Sequence, residues 1–278
     1  MNFLNFQVNN VIKQNKRRRL LTPTPSGGGS SLDPDAQAII DAIEATDAGA
    51  VDASVQTAIE NFVVSGKTDG WWNRLTAFYG FYGGTASSNA INWRSPGTYN
   101  ITWNGSINHG APLGLYSQGG YGDTGLNPNS IYGTSAHIGA YIESSSTVDQ
   151  IFAGCSDNNA GALQIGRYLG QIEGCALTWV NSKVSATESG GWAIVNRANN
   201  TSHSIYYGAG ATAAGTNNRS AQKPNRNLYV LGTNQAGSPS KLLQSIYVSM
   251  ISVGLSLDTT NRANFHSALS TLRGVIRA

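Results

Sequence analysis

The sequence predicts a mainly β protein built as an antiparallel β-sandwich, with a small helical module before it and one helix after it. Three observations carry that prediction. Glycine supplies 33 of 278 residues, about 12% against a usual 7%, and Asn and Ser are abundant too, the residues of turns and polar loops rather than of helix interiors. Charged residues make up only 12% of the chain against an average of about 25%, which argues against disorder, coiled coil and long solvated helices. From residue 85 onward, short apolar or alternating runs recur at spacings of roughly 8–15 residues between Gly, Asn, Pro and Ser clusters, with no helical pattern between them. Parallel α/β folds are thereby excluded.

Residues 1–21 form a basic arm. Leu4, Phe6 and Val8 alternate as in a strand, Val8, Val11 and Ile12 fall at helical spacing, and Lys13, Lys16, Arg17, Arg18 and Arg19 are unopposed by any acid. The bases follow the apolar segment instead of preceding it, which is not the order of a secretory signal. Residues 22–33 read as a linker, Thr22-Pro23-Thr24-Pro25 stiff and the glycine run after it flexible. Residues 20–60 hold seven acids and no base, so the overall net charge of +3 conceals a segmental asymmetry.

Residues 34–84 are predicted as the helical module. Ala36, Ile39, Ile40 and Ile43 recur at i, i+3, i+4, i+7 behind the cap pair Asp33-Pro34. Val51, Val55, Ile59, Phe62 and Val63 repeat the pattern, with Gly66 as its stop. A third helix is expected from Thr68 or Asp69, carrying Trp72, Leu75, Phe78 and Tyr79. Residues 85–278 are the sandwich, with strands expected at 137–142, 150–154, 162–168, 175–181, 192–197, 203–207, 227–232 and 245–257. A closing helix puts Phe265, Leu269, Leu272 and Ile276 on one face after an Asp258 or Thr259 cap. Nothing approaches the roughly 18 uninterrupted apolar residues of a membrane span.

Residues 32–129 carry Asp35-Ala-Gln-Ala-Ile-Ile, Lys67-x-x-Gly70-x-Trp72, Ala77-x-Tyr79, Gly83-Gly84-Thr85-Ala86, Asn92-x-x-x-Pro96 and Tyr121-Gly-Asp-Thr-Gly-Leu-Asn-Pro128. With these motifs the segment resembles a module of tailed-bacteriophage virion and prophage proteins. It covers about a third of the chain; the second half matches by architecture only, and Gly80 stands where the family commonly has Pro. The family's module precedes a concanavalin-like (laminin-G-like) jelly roll, so the resemblance implies that fold and a virion surface protein: a head fibre or capsid decoration, or a tail-fibre or baseplate adhesin, assembled in the bacterial host cytoplasm. In that setting the arm, through Phe3, Leu4, Phe6, Val8 and Lys16-Arg17-Arg18-Arg19, would anchor the chain to other virion proteins. The sandwich would face outward as a homo-oligomer and bind host cell-surface glycan.

For sugar binding the candidates are Trp192, Tyr206 and Tyr207, because an aromatic face offers flat apolar area to a pyranose at little entropic cost. On a strand, adjacent residues face opposite ways, so some of these rings are expected in the core. No catalytic residue is read and the chain is expected not to be an enzyme. After residue 96 the acids Asp123, Glu143, Asp149, Asp157, Glu173, Glu188 and Asp258 are isolated in sequence, without the paired run of a retaining glycosidase. There is no Gly-x-Ser-x-Gly turn. His109, His137, His203 and His266 lack ligand or acid neighbours at a telling offset, and no metal or cofactor motif is present. Cys155 and Cys175 are read as buried free thiols. The basic run lacks interleaved aromatics, which disfavours nucleic acid as partner. Two rivals remain: a virion-associated glycan hydrolase or depolymerase, for which two of Glu143, Glu173 and Glu188 would have to converge in a groove, and a ligand-free cement protein.

Overall fold

The computed structural model describes residues 31–110, 112–144, 148–157, 161–178, 181–184, 190–208, 220–244 and 246–277, and the backbone path of 215–218. The arm residues Phe3, Leu4, Phe6, Val8, Lys16, Arg17, Arg18 and Arg19, and Glu188, lie outside the described residues.

Helix α1 (Pro34–Thr46) starts at Asp33, whose side chain accepts the Asp35 amide, and buries Ala36, Ile39, Ile40 and Ile43 as the spacing predicts. Helix α2 (Ala53–Asp69) is capped by Asp52 and ends at Gly70 in the left-handed conformation. The stop expected at Gly66 is corrected. Gly66 lies inside α2, where a Cβ would come within 2.6 Å of the Trp71 ring, so glycine there admits an indole instead of ending a helix. The third helix is also corrected: after one 3-10 turn at Trp72–Arg74, Leu75–Tyr79 is a strand, β1. Both its faces are covered, Ala77 and Tyr79 by one core and Phe78 by another. A strand buried on both sides loses the alternation that would identify it.

Short strands follow: β2 (Thr102–Asn104), β3 (Ile107–Asn108), β4 (Leu115–Ser117) and β5 (Tyr121–Asp123), then the single turn α3 (Pro128–Ile131). The body of the sandwich is β6 (Ala136–Ile142), β7 (Gln150–Asp157), β8 (Gly161–Tyr168), β9 (Gln171–Ala176), β10 (Ser182–Val184), β11 (Gly191–Arg197), β12 (Ser202–Tyr207) and β13 (Gly215–Asn218). The chain ends with β14 (Tyr229–Val230), β15 (Thr233–Gln235), β16 (Ser238–Ser240), β17 (Tyr247–Gly254) and α4 (Thr259–Ile276), the last capped by Asp258.

Two sheets result. The first runs β13-β12-β11-β6-β17-β4-β3, with β1 also on β17; the second runs β10-β9-β8-β7-β14-β5-β2, with β15 beside β7 and β16 beside β15. Pairing is antiparallel throughout except between β15 and β7. Between the sheets lie Tyr79, Ile138, Ala140, Ile251 and Val253 from the first and Phe152, Cys155, Leu163, Ile165 and Ile172 from the second. A second core covers the outer face of the first sheet. There Phe78, Trp192, Ile194 and Met250 meet Ile59, Phe62, Phe265 and Leu269 of the helices. The antiparallel sandwich of jelly-roll type is thus the fold found, with a helical third layer on one side only.

That layer also removes the expected boundary between residues 34–84 and 85–278. Leu32–Ala278 is one compact unit, because β1 pairs with β17 from the far end of the sequence and α2 packs on α4 through Phe62 and Phe265. Gly80 has a local reason as well: a Cβ there would lie 2.4 Å from Trp93 Cζ2, so the bulkier Pro of the resembled family would collide with this indole. Cys155 and Cys175 are buried free thiols, and burial pushes both pKa values up.

His137 on β6 is wholly buried, with Nδ1 2.6 Å from the Leu255 carbonyl oxygen and Nε2 3.0 Å from Ser252 Oγ. Burial pulls its pKa down from 6.5 to about 4, against the opposing pull of the Leu255 carbonyl. The unfolded chain therefore takes up this proton first as pH falls, so folding stability drops between pH 6.5 and 4 and is unaffected by this group above that window. The expected loss is about 3 kcal/mol, read as the difference in pH slope of urea unfolding between the native chain and His137→Gln. Equal slopes would show that His137 protonates equally well in both states.

Candidate functional site

The aromatic residues that the sequence nominates do not lie together on one exposed face. Trp192 is 2% exposed; it lies across Gly139, where a Cβ would be 2.3 Å from its ring, and meets Phe265 edge-on with centroids 5.4 Å apart. It is a core residue under α4, and its candidacy as a sugar platform is corrected. Tyr206 and Tyr207 point to opposite faces of β12, as adjacent strand residues must. Tyr206 lies on the helical side with the Arg262 guanidinium 3.7 Å from its ring centre. Tyr207 packs on the inter-sheet core and donates its hydroxyl to the Gly190 carbonyl at 2.6 Å.

The helices leave the other broad surface, the outer face of the second sheet, to polar side chains. Thr233 on β15 is level with Gly154 on β7, and Gly154 with Gln164 on β8, so the three form a row on one face. Gln235 and Ser156 form the next pair on that side. Together with Lys241 they line a cavity of about 80 Å3. Glycine at 154 makes the space: a Cβ there would stand 2.5 Å from Gln164 Cβ and 3.2 Å from Thr233 Oγ1. The Thr233 residue is 3% exposed and its hydroxyl has no hydrogen-bond partner among the described residues. Such a group costs about 1–3 kcal/mol unless something completes it.

Tyr168, four residues along β8 from Gln164, shares the face. The ammonium groups of Lys183 and Lys241 stand 5.4 Å and 5.0 Å from its ring centre. Glu173 on β9 is opposite Lys183 on β10; its side chain is 7% exposed, with Oε2 3.3 Å from Lys183 Nζ and Oε1 accepting from Asn181 at 3.0 Å. Asp149 accepts the Leu169 amide at 2.7 Å and so ties down the β8–β9 hairpin tip. Lys241 takes part in no ion pair among the described residues, and its backbone is left-handed (φ 47°), an uncommon state for a residue with a Cβ.

Two larger clefts are built differently. A cleft of about 460 Å3 between the α1–α2 connection and the end of α4 is lined by Asp47, Tyr82, Gly84 and Arg277. Its polar groups fasten chain segments: Asp47 accepts the Gly84 amide, Tyr82 donates to the Ala50 carbonyl and Arg277 to the Phe81 carbonyl, each at 2.6 Å. A groove of about 320 Å3 between α2 and α4 has Phe62 and Leu272 in its lining under a rim of Asn61, Ser65, Asn264 and Thr271.

Among the described acids after residue 96, three are held in ion pairs. Glu143 is held by Arg273 through contacts of 2.6, 3.0 and 3.1 Å, Asp157 by Arg226 at 2.7 Å, and Glu173 as described. Sequence reading missed Tyr168, Gln164, Thr233, Lys183 and Lys241 because they sit on four separate strands or their connections. The one legible signal is the polar alternation of Gln164 and Tyr168 in a strand correctly expected at 162–168.

No family model matches this chain, and no curated protein matches it. Solved structures do. It is similar to a structure of botulinum neurotoxin type C, for which interaction with two ganglioside molecules is described, at 11% identity and a TM-score of 0.51, over 73% of this chain and 53% of that one. It is also similar to the receptor-binding domain of botulinum neurotoxin D, at 9% identity and a TM-score of 0.51, over 70% of this chain and 53% of that one. The chain thus spans about half the length of these neurotoxin structures, and identities this low establish the shared fold alone. A Trypanosoma rangeli sialidase also matches, at 12% identity and a TM-score of 0.48, over 76% of this chain and 39% of that one. The expectation that this chain is not an enzyme is corrected: a sialidase is among the solved structures that match it.

Proposed function

We propose that this chain is a carbohydrate-binding protein that takes a saccharide on the outer face of its second sheet, over the Thr233 cavity and beside Tyr168. The observation that carries the reading is the buried, unpartnered Thr233 hydroxyl at a cavity opened by Gly154 and framed by Ser156, Gln164 and Gln235. Hydroxyl and amide groups fixed by strands match the donors and acceptors of a sugar ring, and an adjacent aromatic ring gives apolar contact. The ganglioside interaction described for a neurotoxin of like fold supports a saccharide as the ligand class.

The setting belongs to the same proposal: a tailed-phage virion surface protein, anchored by residues 1–21 to head or tail proteins, with several copies giving avidity to weak single sites. What supports it is the sequence resemblance over residues 32–129. Glycan-array binding by the full chain, compared with Thr233→Val, tests the site. The isosteric change is expected to weaken binding about 5- to 30-fold, the cost of one lost hydrogen bond, with the unfolding midpoint unchanged or raised. A chain that binds no saccharide, or a variant that binds equally well, would refute the site. Antibody labelling on the outside of purified particles tests the setting, and its absence from the particle would end that part of the proposal.

A further inference from the structure

Charge at the same face points to a narrower ligand class. Among the described residues, four charged groups stand around Tyr168, and three are committed. Glu173 and Lys183 offset one another at 3.3 Å, with Asn181 on the second carboxylate oxygen, and Asp149 accepts the Leu169 amide at the hairpin tip. Lys241 is the charge left over. It lines the cavity with Thr233, Gln164, Gln235 and Ser156, stands 5.0 Å from the Tyr168 ring centre, and forms no ion pair among the described residues. The other lining groups are all neutral hydroxyls and amides. A site with one uncompensated ammonium at its edge and neutral donors and acceptors at its floor is complementary to a polyhydroxylated ligand bearing one anionic group. Two ammonium groups held near one ring repel each other, and an anion between them relieves that repulsion as well.

Resting on the carbohydrate-binding reading above, we infer that the saccharide is acidic: its carboxylate or sulfate pairs with Lys241 beside Tyr168 while its hydroxyls meet Thr233, Gln164 and Gln235. Neutral saccharides of the same shape can reach the floor but leave Lys241 without a partner.

The test uses matched probes on the full chain by titration calorimetry: sialyllactose against lactose, a glucuronate oligosaccharide against its carboxyl-reduced form, and a sulfated galactan fragment against its desulfated form. In at least one pair the acidic member is expected to bind ten-fold or more tighter. The pair that shows it distinguishes carboxylate from sulfate, and the advantage should shrink as salt rises. Lys241→Gln is expected to abolish that preference, whereas Thr233→Val, which keeps Lys241, weakens both members alike and preserves it. Neutral members bound as tightly as acidic ones, or a preference that survives Lys241→Gln, would overturn the acidic-ligand inference and leave the carbohydrate-binding reading standing. Absence of binding to every member of every pair would overturn both.

Discussion

Trp192→Ala is expected to cost about 3–5 kcal/mol of folding stability, the range for deleting a large aromatic side chain from a core. The ring is 2% exposed, lies on the bare backbone of Gly139 and meets Phe265 of α4 edge-on, so no neighbour can collapse into its space without moving the helix off the sheet. The cavity would also open beside Phe62 and Trp71, which pack on Phe265 with ring centres 6.2 and 4.8 Å away. Urea unfolding measures the loss. Saccharide affinity of the fraction still folded should be unchanged, since the proposed site is on the other sheet. A loss below about 1 kcal/mol, far under the usual cost of such a truncation, would mean that the helical layer is not held through this ring. A loss of affinity in a fully folded variant would return Trp192 to the ligand.

Arg273→Met carries the second large effect, again about 3–5 kcal/mol. The Glu143 side chain is 1% exposed and its charge is met by the Arg273 guanidinium, which Glu143 in turn holds above its usual pKa. Removing the guanidinium leaves a carboxylate buried at the end of β6 without its ion-pair partner. The double variant Glu143→Gln/Arg273→Met is expected to regain most of the loss, because the penalty belongs to the unpaired charge and not to the missing contact. A double variant that stays as unstable as the single one would contradict this account.

How much of this was legible in the sequence differs between fold and site. Each strand expected after residue 85 has a counterpart among the strands found, and Asp33, Asp258 and the buried stripes of α1 and α4 stand where the spacing puts them. The failures share one cause. Leu75–Tyr79 was expected as helix and Gly66 as a helix stop, yet both are set by partners distant in sequence: β17 beside the strand, and Trp71 above the glycine. The site was illegible for the same reason. Thr233, Gly154 and Gln164 become neighbours only when β15, β7 and β8 are in register, and Lys241 meets Tyr168 only once the chain has returned past them.

By itself, the sequence determined the class of fold, the longer strands of the sandwich and the caps of α1 and α4, because alternation, helical spacing and cap chemistry are local and survive without a partner. Only the tertiary structure decided which aromatics are core and which polar groups converge. Helices α2 and α4 cover the first sheet, so Trp192 disappears beneath them while Tyr168, on the other sheet, stays half-exposed: which face a third layer occupies decides which aromatic ring is core.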